Sequence, residues 1–129
     1  MNDIHRSFCG ALAACTIAIS GTAALAADES PWSNDIRSGV RLIAGANGKD
    51  DVALRAGIEI KMQPGWKTYW RYPGDSGVPP RFDFSGSDKL LRAQVLYPAP
   101  HLFTDETGNS IGYKTKLIFP VKVTPIQTG

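Results

Sequence analysis

The chain has 129 residues, 14 lysines and arginines against 12 aspartates and glutamates, a formal charge of +2 and a hydrophobic fraction of 43%. That length fits one domain at most. A balance so near neutral, with no Lys/Arg cluster and no helical basic stripe, excludes a binder that tracks a nucleic-acid backbone.

Met1 to Arg6 form a short polar start containing His5 and Arg6, and an apolar, small-residue run follows from Phe8 to Ala26, ending Ala24-Leu25-Ala26. The pattern predicts a cleavable secretory signal peptide over residues 1–26. A membrane anchor is the second reading, but Gly10, Thr16, Ser20, Gly21 and Thr22 dilute the run where a spanning helix wants about 20 predominantly apolar residues. A third reading takes Leu12-Ala13-Ala14-Cys15 as a lipoprotein processing box, with too short an apolar stretch before the cysteine. Cleavage near Ala26 leaves ~100 residues, enough for one small domain with a modest core. It also removes Cys9 and Cys15, the chain's 2 cysteines. The mature chain is then expected to hold no thiol, no disulfide and no thiolate metal ligand.

Residues 27–37 read as an N-terminal leader, and from Ser38 to Gly129 the hydrophobic period is two, with turn residues between the runs. Val40 to Ala46 is a strand, and Asn47-Gly48-Lys49-Asp50-Asp51 is a hairpin turn to the next. In Val52 to Met62, Leu54, Ala56, Ile58, Ile60 and Met62 face a core while Arg55, Gly57, Glu59 and Lys61 face water. Pro64-Gly65 turns the chain into a strand from Trp66 to Tyr72, whose Trp66, Thr68 and Trp70 share one face. After the loop Pro73 to Pro80 come a short strand at Arg81 to Phe84, a Ser-Gly-Ser-Asp turn, and a run through Val95 and Tyr97 that stops at Pro98; a helical turn over Ser87 to Leu91 is an open alternative. Thr104 to Ser110 is read as a loop into the strand Lys116 to Thr124, where Leu117, Phe119, Val121 and Val123 face one way and Pro120 marks an edge or a bulge.

About six short strands without a helix predict an all-β, antiparallel β-sandwich. The count is one or two strands short, and the apolar run at Lys116 to Thr124 has little after it to pair with, so the sandwich is expected to be incomplete at its C-terminus.

The stretch from Pro64 to Pro80, PGWKTYWRYPGDSGVPP, followed by Phe82-Asp83-Phe84-Ser85-Gly86-Ser87, Tyr97-Pro98-Ala99-Pro100, Gly112-Tyr113 and Phe119-Pro120-Val121, resembles the N-terminal periplasmic domain of the DsbD/ScsB thiol:disulfide interchange (protein-disulfide reductase) family, over roughly Val40 to Pro125. The resemblance implies an immunoglobulin-like domain of the bacterial periplasm that takes electrons from a membrane-embedded donor domain and passes them to periplasmic thiol/disulfide proteins, with cytochrome c biogenesis as an associated process. In that family a cysteine pair does the exchange, through thiolate attack on sulfur. It lies on a strand expected beyond Thr124, and no residue of this chain can inherit the role. The chain is therefore expected to be redox-silent by itself, either as a truncated product, the favoured reading, or as a cysteine-free module.

Among Trp66, Tyr69, Trp70 and Tyr72, the tryptophans read as core and the tyrosines, on the polar face and at the loop mouth, as candidates for partner binding. Pro73-Gly74-Asp75-Ser76-Gly77 reads as a tight turn whose Asp75 could shape a docking surface; it lacks the spacing of a phosphate loop. His101 reads as a surface-loop histidine, since nothing fixes Asp105 and Glu106 around it as metal ligands, and no nucleophile elbow supports a hydrolytic triad. The acidic pairs Asp50-Asp51 and Asp105-Glu106 read as solvated. No catalytic residue, cofactor or metal is expected. The alternative is a non-enzymatic envelope module that docks a protein or glycan through an aromatic face, favoured if Trp66 and Trp70 are both exposed and disfavoured if both are buried.

Overall fold

A computed structural model of the chain describes residues 28–46 and 53–127. The predicted signal peptide with Cys9 and Cys15, the turn at Asn47-Gly48 and the pair Asp50-Asp51 lie outside them. The described residues form no helix and eight strands: β1 (Ser33–Asn34), β2 (Ser38–Ala44), β3 (Leu54–Met62), β4 (Lys67–Gly74), β5 (Leu90–Val95), β6 (His101–Asp105), β7 (Gly108–Lys114) and β8 (Lys116–Pro125). They build two antiparallel sheets, one ordered β1-β2-β3-β8-β5 and one ordered β4-β7-β6. This is the antiparallel β-sandwich expected from the period-two runs, in the immunoglobulin-like form that the resemblance implies.

The pairing follows the alternation. Leu42 stands opposite Ile58 across β2 and β3, and Ile58 opposite Phe119 across β3 and β8, so one register sets the apolar row facing inward. Ile58, Tyr113, Leu117, Phe119 and Val121 are buried, and Phe119 is fully so. Its ring meets Phe82 and Tyr97 at 5.2 Å and Tyr113 at 5.6 Å between centroids, each edge to face. The Tyr113 hydroxyl donates to the Pro98 carbonyl at 2.7 Å, which lets its ring sit in the core without an orphaned polar end.

Four expectations need correction. Arg81 to Phe84 is extended but pairs with no strand, and it serves the core by delivering Phe82 to Phe119. The alternative helical turn at Ser87 to Leu91 is a bend that enters β5, with Lys89 in the left-handed region (φ 54°). Thr104 to Ser110 is no loop but the heart of the β6–β7 hairpin, with Asp105 opposite Gly108. The Asp105 carboxylate accepts the Thr107 N–H at 2.8 Å and so closes the turn rather than standing merely solvated. Lastly, β8 lies between β3 and β5 and is paired on both sides. Pro120 is tolerated inside the sheet because its carbonyl accepts the Leu96 N–H just past the end of β5, so its missing donor also faces that frayed edge.

Thr115, at φ 72°, carries the chain from one sheet to the other and offers its carbonyl to the Met62 N–H at 2.8 Å. Gly112 lets β4 approach β7: a Cβ there would collide with the Thr68 carbonyl oxygen and stand 2.8 Å from the Tyr69 Cα. Truncating Phe119 to alanine is expected to remove about 3–5 kcal/mol of stability, measured by denaturant unfolding, because the three rings around it cannot close on the space.

Candidate docking surface

The three residues expected to bind a partner do not converge. Tyr69 stands opposite Gly112 on the outer face of the three-stranded sheet and is half-buried. The backbone of Gly77 (φ 111°) lies on its ring, where a Cβ would be 2.5 Å from the ring carbon Cε1. Tyr72 follows a register shift in β4, is 66% exposed and packs edge-on against Trp70 at 5.5 Å. Asp75 is a clamp: its carboxylate accepts the Asn109 N–H at 3.0 Å, its own N–H donates to the Asn109 carbonyl at 2.8 Å, and both tie the end of β4 to the β6–β7 hairpin.

The tryptophan pair is split. Trp70 packs against the core, as expected, but Trp66 is 47% exposed, because the Gln63–Trp66 turn holds it ahead of β4. The Arg37 guanidinium lies 5.6 Å from the centre of its ring. Trp66 stands at the mouth of a cleft of about 600 Å³ between the sheets, with Val40, Ile60 and Met62 as floor, Thr68, Tyr69 and Val78 as wall, and Asp35 and Arg37 at the rim. No single motif announced this cleft; it is assembled from residues of β2, β3, β4 and the loop that carries Val78. His101 opens strand β6 rather than lying in a loop, exposed and with its ring 6.4 Å from Phe103. Among the described residues no three His, Cys, Asp or Glu side chains converge as metal ligands.

Glu59 also departs from expectation. It alternates outward, yet it is 2% exposed. Arg41, directly opposite on β2, donates from Nε to one carboxylate oxygen at 2.6 Å, and the Lys116 ammonium reaches the other at 2.7 Å. Arg41 also bridges Glu29 and stacks on Trp32 at 4.5 Å, so the segment ahead of β2 lies across this carboxylate. The hydrogen bonds from Lys116 and then Arg41 hold the Glu59 carboxyl below the usual range despite its burial.

The described residues thus form an all-β sandwich of two antiparallel sheets. Residues 43–128 match the family described as thiol:disulfide interchange protein DsbD, N-terminal, and the chain belongs to that family. Its fold is similar to the crystal structure of the N-terminal periplasmic domain of ScsB from Proteus mirabilis, with a TM-score of 0.64 and 24% identity over 80% of this chain and 41% of that one. The chain thus spans about two-fifths of that structure's length. No curated protein sequence matches it.

Two outcomes follow from these contacts. Because the folded Glu59 carboxyl titrates below its unfolded value of about 4.3, its contribution is present above that pH and is lost as pH falls through the folded value. Glu59→Gln is therefore expected to lower stability at neutral pH, with the deficit shrinking below about pH 4 in denaturation curves taken across pH. Asp75→Ala should cost about 1 kcal/mol and speed hydrogen exchange in the β6–β7 hairpin while leaving β3 unchanged.

Proposed function

We propose that this chain is a periplasmic docking domain of a thiol:disulfide interchange system, exported by its apolar segment and redox-silent by itself. In this reading residues 1–26 are the signal peptide, 27–37 a leader and 38–129 the domain. One observation carries it: within a family named for thiol:disulfide interchange, Cys9 and Cys15 both precede Ala27, and residues 28–127 contain no cysteine. Disulfide exchange needs an attacking thiolate, and the sandwich has none. Its contribution is then positional. It presents a rigid two-sheet surface to periplasmic thiol/disulfide proteins, and the electrons come from a membrane-embedded donor domain and pass through cysteines carried elsewhere.

A stand-alone envelope module that binds a protein or glycan is the second reading, favoured by the exposure of Trp66 and Tyr72 and weakened by the burial of Trp70's neighbours in the core.

Protein recovered from the periplasm is expected to begin at or near Ala27, to give no signal in a thiol titration under denaturing conditions, and to leave insulin disulfides unreduced with dithiothreitol at the buffer rate. Turnover above that rate would overturn the redox-silent reading.

A further inference from the structure

Residues 28–34 lie as a strap along the side of β2 that faces away from β3. The Asp28 carbonyl accepts the Ala44 N–H at 2.6 Å, and Glu29 bridges to Ile43. Ser30 donates its N–H to the Leu42 carbonyl and accepts the Leu42 N–H on its hydroxyl, both at 2.8 Å. Farther along, Ser33 stands opposite Val40 and Asn34 opposite Gly39. The Asp35 carboxylate closes the turn into β2 by accepting the N–H groups of Arg37 and Ser38, at 2.7 and 2.8 Å. Side chains reinforce this ladder: Glu29 pairs with Arg41, and the Trp32 ring has the Arg41 guanidinium 4.5 Å and the Lys61 ammonium 4.6 Å from its centre.

The sequence sets this strap directly beside the expected cleavage point. Ala24-Leu25-Ala26 ends the apolar run, which puts the scissile bond after Ala26 and makes Asp28 the second residue beyond it. A peptidase takes its substrate as an extended chain and reaches several residues to either side of the bond, so the hydrogen bonding of that backbone decides whether it can be cut. In the docked strap the backbone of Asp28 and Ser30 is already engaged with β2, and the Glu29 side chain with Arg41.

We propose that β2 and the processing peptidase compete for the same backbone, so that removal of the apolar segment precedes docking of residues 28–34. Water adds across the Ala26–Ala27 amide: its hydroxyl completes the new carboxyl of Ala26 and its proton goes to the amine of Ala27. A precursor that docks its strap first is a poor substrate until the strap lets go. The strap is able to let go, because a short ladder and partly exposed ion pairs hold it, and such elements open by local fluctuation. Cutting of the folded precursor then follows the fraction of chains with the strap open. Once freed, the strap covers an edge of β2 that would otherwise be a template for pairing with another chain.

The proposal rests on the export reading above. The test takes the full 129-residue precursor, folded in mild detergent, and follows removal of its apolar segment by a purified signal peptidase. A Phe119→Asp precursor, whose core cannot close over a charge, serves as the unfolded substrate with an unchanged cleavage sequence. The folded chain is expected to be cut at least about tenfold more slowly than the unfolded one. A glycine-serine spacer of about six residues between Ala27 and Asp28 should bring the folded chain to the unfolded rate with the strap still docked. Trp32→Ala, which loosens the strap, should speed cutting of the folded chain by about threefold to fivefold and leave the unfolded rate unchanged. Equal rates for folded and unfolded precursors overturn the proposal, as does a spacer form cut as slowly as the parent or a Trp32→Ala chain whose rate does not rise. An unfolded precursor that is not cut at all overturns the export reading, and the proposal falls with it.

Discussion

Phe119 is the point on which the two sheets agree. It is the fully buried ring of the described residues, and it touches a strand of the opposite sheet through Tyr113 and the intervening segments through Phe82 and Tyr97. The strand that carries it, β8, is bonded to β3 on one side and β5 on the other. A residue in that position does two jobs at once: it fixes which face of the five-stranded sheet is inside, and it sets where the smaller sheet can land. Burial of that apolar row is the main favourable contribution to the fold, and shifting the register by one residue would turn it outward.

The placement of the smaller sheet then determines the surface. The cleft beside Trp66 lies where β4 and the loop that carries Val78 meet the inward side chains Val40, Ile60 and Met62 of β2 and β3. The other outward features are structural. Asp75 ties a loop to a hairpin, Gly77 seats that loop on Tyr69, and the Arg41–Glu59–Lys116 group fastens the segment ahead of β2 to the sheet's outer face. Tyr69 and Asp75 also take part in holding the scaffold, whereas Tyr72 stays largely exposed.

Much of the fold was legible because strands β2, β3 and β8 alternate cleanly, and alternation carries its own register once a hairpin is placed. What was not legible has physical reasons. The β6–β7 hairpin is rich in Gly, Asn, Ser and Thr, residues that propensity assigns to loops, and its strand character comes from Gly112 permitting the close approach of β4. Phe82 and Phe84 alternate as a strand would but are held by ring packing rather than by a ladder. The burial of Glu59 depends on Arg41 standing opposite it, a cross-strand fact that no local window contains.

The most direct test of this account is strand-resolved native-state hydrogen exchange of the chain without any ligand. If β8 is the central strand and β4 an open edge, the slowest amides lie in β3 and β8 and exchange together through global unfolding, while alternate amides of Lys67 to Trp70 exchange far faster through local fluctuation. Amides of β8 that exchange as fast as those of β6, or a β4 protected on both sides, would contradict it.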